Sequence, residues 1–285
     1  MKILIVPNLR KDGAAGHTRE VIRRFIELGC EVTLGEQFSY IFENSGARFG
    51  NYSTELSRAD MIVAIGGDGT IIHSAKDAVT ADKPILGVNL GRLGFLAQLE
   101  LQDLGLLGEI VAGNYRTEER MMVKATRVLP DSRRERYYAL NDIVLSKGAL
   151  SRMVDLDVRC QNEMVGAFRA DGLIFATPTG STAYSMSAGG PIVDPAIDSI
   201  VMTPICPHAL GSRPLIFAPE KVLSVNQRIV NYTDKLYMTI DGEQAVMINP
   251  EDKIEIKRST RRVKLVALDR RNFYEILSDK LSSRG

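Results

Sequence analysis

The spacing of apolar residues changes once along this 285-residue chain, and that change constrains the fold more than any other feature. In the first third, continuous apolar runs alternate with residues recurring at helical spacing. Lys2 to Val6, Glu31 to Leu34, Met61 to Ile65 and Pro84 to Val88 read as short strands, the apolar ones buried on both faces as in a parallel sheet. Between the first two, Val21, Ile22, Phe25, Ile26 and Leu28 follow one helical face until Gly29 stops them. From Glu119 the period moves toward two, in Met122 to Val128, Met153 to Val158, Leu236 to Ile240, Lys253 to Lys257 and Val263 to Leu268. The expectation is an α/β N-terminal domain with a Rossmann-like parallel sheet over residues 1–113, then an all-β, sandwich-like domain over 114–268. Gly113-Asn114 marks the boundary. Asn272 to Leu281 reads as a helix, and residues 269–285 are expected to return to the first domain. Residues 35–58, which carry Gly35, Gly46 and Gly50, read as loop with a short helix.

A formal net charge of +1 provides no general field for nucleic acid or a membrane surface, so neither partner is expected. Apolar runs stay well below membrane-spanning length, and the N-terminal one is too short for a signal peptide. The clusters Arg133-Arg134-Arg136 and Lys257-Arg258-Arg261-Arg262 read as solvated hairpin ends. Cys30, Cys160 and Cys206 are single and widely spaced, which suggests neither a disulfide framework nor a CxxC metal site and fits a reducing, cytoplasmic compartment.

Four stretches carry chemistry. Strand Met61 to Ile65 runs straight into Gly66-Gly67-Asp68-Gly69-Thr70 and then a helix from Ile71 to Val79. Glycine on both sides of Asp68 permits close backbone approach, so a carboxylate sits at the carboxyl end of a strand among N–H groups. That is a loop for a phosphate with a divalent cation, or a tight turn that merely needs glycine. His73, one turn on, faces the ligand or solvent. Asn89-Leu-Gly-Arg-Leu-Gly-Phe95 follows the next strand, with Phe95 as its candidate ligand contact. Asn141-Asp142 is a polar pair in apolar sequence, able to hydrogen-bond a ribose or an amide-bearing ring, or to make a β-turn. Leu173 to Ala176, then Thr177 to Ser181, then a short helix form a strand, a turn and a helix N-terminus, a geometry that presents backbone N–H groups to an anion. Tyr184 adds a flat face for stacking on a base. Arg169 and Asp171, just upstream, contact a ligand or form a buried ion pair.

With these stretches in this order, and with Pro204-Ile-Cys-Pro-His-Ala-Leu-Gly-Ser-Arg-Pro214, the chain closely resembles the NAD kinase family over nearly its whole length, least in residues 35–58. The Gly66–Gly69 element alone is shared with lipid and sugar kinases, which leaves a kinase of that kind, or a non-catalytic NAD-binding module, as rival readings. The Thr-Pro-Thr-Gly-Ser-Thr-Ala-Tyr184 stretch favours NAD kinases. The resemblance implies phosphoryl transfer from ATP, or inorganic polyphosphate, to the 2′-hydroxyl of the adenosine ribose of NAD, with Mg²⁺ on the phosphates. It implies Asp68 as general base and Gly66, Gly67, Gly69 and Thr70 as the phosphate loop. NAD contacts are implied at Asp68, Gly69, His73, Phe95, Asn141, Asp142, Arg152, Arg169, Asp171, Thr182, Ala183, Tyr184, Ser185, Met186, Ser187 and Gln244. A homodimer or homotetramer is implied as well. Two departures stand out: Ala97 where threonine is common, and Asp142 for the more frequent glutamate.

Overall fold

The computed structural model describes residues 1–91, 94–148, 152–228, 235–268 and 272–282. The chain forms two compact units, Met1–Glu119 with Val263–Gly285, and Arg120–Arg262. Both halves of the expected fold class are present: a parallel sheet with helices first, then an antiparallel β structure.

In the first unit the strands are β1 (Lys2–Pro7), β2 (Glu31–Gly35), β3 (Arg48–Gly50), β4 (Met61–Gly66), β5 (Ile85–Asn89) and β6 (Leu99–Glu100). Helix α1 (Ala14–Glu27) follows β1, α2 (Tyr52–Arg58) follows β3, α3 (Asp68–Ala81) follows β4, and α4 (Leu107–Val111) follows a 3₁₀ stretch at Leu101–Leu106. The strands pair in parallel in the order β5-β4-β1-β2-β3. Helix α1 forms because Val21, Ile22 and Phe25 share its buried face, each contributing about 1.5–3 kcal/mol by burial. It ends where Gly29 takes φ 78°, and the N–H groups of Leu28 and Gly29 fold back onto Arg24 and Ile26. Residues 35–58 hold more order than expected, since Arg48–Gly50 adds β3 to the edge of the sheet.

The order carries a functional consequence. From β1 the chain proceeds outward through β2 and β3, and then returns to the other side of β1 to lay down β4 and β5. The reversal falls between β1 and β4, and ligands of open α/β sheets bind outside the carboxyl ends of strands at such a switch. Asn8, just past β1, donates to the carbonyl of Ile65 in β4 at 2.8 Å and so fastens the two exits together.

The second unit contains β7 (Arg116–Val128, entering from the first), β8 (Arg134–Ala139), β9 (Asp142–Lys147), β10 (Val154–Cys160), β11 (Glu163–Ala170) and β12 (Gly172–Ala176). After a one-turn helix α5 (Tyr184–Ser187) come β13 (Ile200–Ile205), β14 (Leu215–Phe217), β15 (Leu223–Gln227), β16 (Leu236–Ile240), β17 (Gln244–Ile248) and β18 (Lys253–Ala267). An antiparallel sheet of order β14-β13-β12-β9-β16-β17 faces the antiparallel set β11-β10-β15-β18. Phe175, Leu145, Leu156, Val225 and Ile254 meet in the core between them. The outer face of the first sheet is covered too, through Ile174, Val144 and Val193, which explains why β12 is buried throughout.

One expectation fails here. Lys253 to Lys257 and Val263 to Leu268 are not two strands with a basic hairpin end between them. They form a single strand, β18, whose last part belongs to the first unit. Arg258 and Arg262 sit mid-strand and both bind Asp198, so their charges are partly offset within the sheet rather than left at a turn. The other cluster does lie at a hairpin, between β7 and β8, where Leu129 donates to Arg133 at 3.0 Å. Helix α6 (Phe273–Ser282) closes the described chain within the first unit.

Candidate active site

In the first unit, Gly66 ends β4, Gly67 stands in the extended region as the cap, and α3 begins at Asp68, three residues earlier than the apolar pattern indicates. The Asp68 carboxylate is fixed by three backbone N–H groups of the following glycine-bearing loop: Phe95 at 2.7 Å on Oδ2, and Leu96 and Ala97 at 3.0 and 3.3 Å on Oδ1. Gly94 is required by this arrangement, since a Cβ there would fall 1.9 Å from Asp68 Oδ1. A carboxylate offers about four acceptor sites, so one is left for a ligand. Thr70 is 6% exposed, and its Oγ1 has no hydrogen-bond partner, an omission that costs about 1–3 kcal/mol unless a ligand completes it.

Lys11, which sequence reasoning missed, reaches the same loop. Its Nζ donates to the carbonyl of Gly66 at 3.3 Å, and Cβ atoms built on Gly67 and Gly91 would stand 3.5 and 3.4 Å from it. The β1 exit therefore brings a cation to the β4 exit at the switch point. No local pattern marks Lys11; only the order of strands puts it there. Phe95 is half-buried, and its ring packs against Phe273 of α6, with centroids 6.1 Å apart, under Lys280. His73 is exposed on α3. Arg92 and Leu93 of the glycine-bearing loop lie outside the described residues.

In the second unit the two remaining motifs lie against each other. Strands β9 and β12 pair with Asp142 opposite Ala176, so the turn at Asn141 meets the turn at Thr177. Thr177 donates its N–H to the Asn141 carbonyl at 2.8 Å and its hydroxyl to the Leu140 carbonyl at 2.6 Å. Gly180 packs so closely on Asn141 that a Cβ would come within 2.0 Å of its carbonyl oxygen. These bonds leave the turn with fewer backbone N–H groups for an anion than the sequence suggests. The N–H groups of Thr177, Gly180, Ser181 and Ala183 are all consumed inside the structure, by Asn141, Thr177, Pro178 and Gly180.

What the turn offers outward is side chains. Tyr184 is 48% exposed, Ser187 is exposed, and Thr182, Ala183 and Met186 are half-buried. Ser185 is fully buried, with its hydroxyl 2.8 Å from that of Thr203. Asp142 is 5% exposed, and its carboxyl is pushed up to about 7, first by burial and then by Asp241. Asp171 does not pair with Arg169; its partner is Lys147, at 2.8 Å. Arg169 is exposed at the end of β11, Arg152 is exposed ahead of β10, and Gln244 is exposed at the start of β17.

A carboxylate presented beside a lysine at the mouth of a parallel sheet, in a chain that continues into a β-sandwich, defines a phosphotransferase class. Comparison with known proteins selects the family within it. The ATP-NAD kinase N-terminal domain matches residues 3–115 and the ATP-NAD kinase C-terminal domain matches residues 140–268. An NAD kinase of Thermoanaerobacter sp. is 40% identical over 286 residues, which covers 99% of both chains. Among solved structures, yeast NADH kinase complexed with NADH is similar with a TM-score of 0.88 and 25% identity, covering 99% of this chain and 87% of that one. An NAD kinase from Archaeoglobus fulgidus in complex with ATP is similar with a TM-score of 0.78 and 27% identity over the whole of both chains. The chain therefore belongs to the NAD kinase family, whose members phosphorylate NAD.

Proposed function

We propose that this chain transfers the terminal phosphoryl group of ATP, or of inorganic polyphosphate, to the 2′-hydroxyl of the adenosine ribose of NAD, giving NADP. The observation that carries the reading is the Gly66–Thr70 loop, a fixed carboxylate at the switch point of a parallel sheet in a chain of this family. Asp68 accepts the hydroxyl proton as the ribose oxygen bonds to phosphorus and the bond from phosphorus to the leaving phosphate oxygen breaks. Gly66, Gly67, Gly69 and Thr70 cradle the donor phosphates, where the unpartnered Thr70 hydroxyl gains an acceptor. ATP as donor is supported by the ATP complex of the Archaeoglobus relative, and the acceptor by the NADH complex of the yeast one.

In the second unit NAD contacts are assigned to Asn141 and Asp142 for ribose or nicotinamide, to Asp171 for the nicotinamide amide, to Arg152, Arg169 and Gln244 as further contacts, and to the Thr182–Ser187 segment for adenine. Among the described residues no three His, Cys, Asp or Glu groups converge as a metal cage. The Mg²⁺ of the reaction is assigned to the donor phosphates, in keeping with its preference for phosphate and water oxygens. A homodimer or homotetramer is proposed from the family resemblance, and light scattering would detect it.

The test is NADP formation by the purified protein from NAD and Mg²⁺ with ATP or polyphosphate, with NADH as a parallel acceptor. Product names the donor; bound NAD with no product under either donor overturns the reading. Two substitutions resolve the sites. Lys11→Met is expected to raise KM for the donor roughly tenfold or more, because a charge-assisted contact to phosphate is lost, with KM for NAD unchanged. Tyr184→Ala is expected to raise Kd for NAD about tenfold through lost stacking, as read by calorimetry.

A further inference from the structure

We propose that Asp241 is a positioning residue that sets the Leu140–Asp142 turn in the conformation that receives NAD. The inference rests on the reading that this turn holds NAD. Its carboxylate accepts three consecutive backbone N–H groups: Leu140 at 2.9 Å on Oδ2, and Asn141 and Asp142 at 2.7 and 3.1 Å on Oδ1. The Asp241 N–H in turn donates to the Asp142 carbonyl at 3.0 Å. With Thr177 holding the carbonyls of Leu140 and Asn141, every backbone donor and acceptor from 140 to 142 is bonded, and the donors all go to one residue. Hydrogen bonds to an ionised acceptor are roughly twice as strong as neutral ones, so this carboxylate decides the path of the turn.

The hairpin alone does not demand an aspartate. Asp241 and Gly242 take φ 50° and 69° between β16 and β17, and Glu243 donates back to Ile240 at 3.0 Å. Two adjacent positive-φ positions accept Asn-Gly or Gly-Gly equally well. What only a carboxylate supplies is two acceptor oxygens facing three N–H groups, because an asparagine would turn an NH₂ toward one side of the set. Asp241 thus does for the NAD turn what a loop residue does for a ligand side chain, from about a hundred residues away in sequence. The side chains of Asn141 and Asp142 inherit their direction from a backbone that Asp241 fixes.

The test uses the full chain with Asp241→Gly and Asp241→Asn, which retain the hairpin conformation, beside Asn141→Ala. Amide hydrogen exchange in the absence of NAD should show Leu140, Asn141 and Asp142 exchanging at least about tenfold faster in Asp241→Gly, with Tm within a few degrees of the parent. Steady-state kinetics should show KM for NAD raised roughly tenfold in Asp241→Gly, less in Asp241→Asn, and KM for the donor unchanged in both. Unchanged exchange at 140–142 in either folded variant would overturn the clamp. Raised KM for NAD in Asn141→Ala without a rise in Asp241→Gly would overturn the positioning role, whereas no rise in either would locate the failure in the NAD reading of the turn.

Discussion

Asp68→Asn is expected to lower turnover about 10²–10⁴-fold while leaving Kd for NAD within a factor of about three. Under the proposed function the carboxylate has two duties. One acceptor site is left to take a proton from a secondary hydroxyl, a poor nucleophile, and the others fasten the Phe95–Ala97 backbone to the head of α3. Asparagine removes the first duty outright and weakens the second, since its NH₂ must face N–H on one side. Gly94→Ala separates the two. It retains the carboxylate but places a methyl 1.9 Å from Oδ1, so Asp68 must move. A fall in kcat for both variants, with NAD binding retained by calorimetry, assigns the effect to a correctly placed carboxylate. Full turnover in Asp68→Asn would reduce Asp68 to a loop fastener and leave the proton without a named acceptor.

How much of this was legible in the sequence depends on how far each contact reaches along the chain. The apolar runs announce β1, β4 and β5, because a strand buried on both faces must be apolar throughout. The glycine loop announces itself because the constraint it satisfies is local. Long-range pairings leave no such mark. The side-by-side placement of β1 and β4, which puts Lys11 at the Gly66 carbonyl, follows from strand order, and no residue near Lys11 encodes it. Lys147 as the partner of Asp171 is likewise set by antiparallel register, and Thr203 as the partner of Ser185 by the contact between α5 and β13. Asp241 is the intermediate case. Asp-Gly between Leu236–Ile240 and Gln244–Ile248 is a readable hairpin signal, but the three N–H groups it captures lie 99 to 101 residues away. Strand β18 is hidden in the sequence for a different reason. Its middle is charged because Arg258 and Arg262 find Asp198, a tertiary partner that lets basic residues stand inside a strand.

Asp142→Asn is expected to stabilise the folded chain increasingly as pH rises, by a few kcal/mol at pH 8. The Asp142 carboxyl is pushed up to about 7 in the folded state, by burial and then by the like charge of Asp241, against about 4 when unfolded. Below pH 4 the group is protonated in both states and weighs on neither. Between pH 4 and 7 the unfolded chain releases the proton and the folded one holds it, so the stability associated with the neutral form is lost as pH climbs, at most about 1.4 kcal/mol per unit. Above 7 the loss is complete. Asparagine does not titrate and escapes it. Urea unfolding of the parent and the variant at pH 5 and pH 8 should show the gap widening with pH, and a gap independent of pH would mean that the carboxyl is not held up by its surroundings. The same variant should bind NAD less well, because an amide is a weaker acceptor for a ribose hydroxyl than the carboxylate present at pH 8. A buried acid beside a second acid destabilises the fold, and such a group persists where function requires the charge. Greater stability with poorer NAD binding in one substitution is the signature of a residue retained for its ligand.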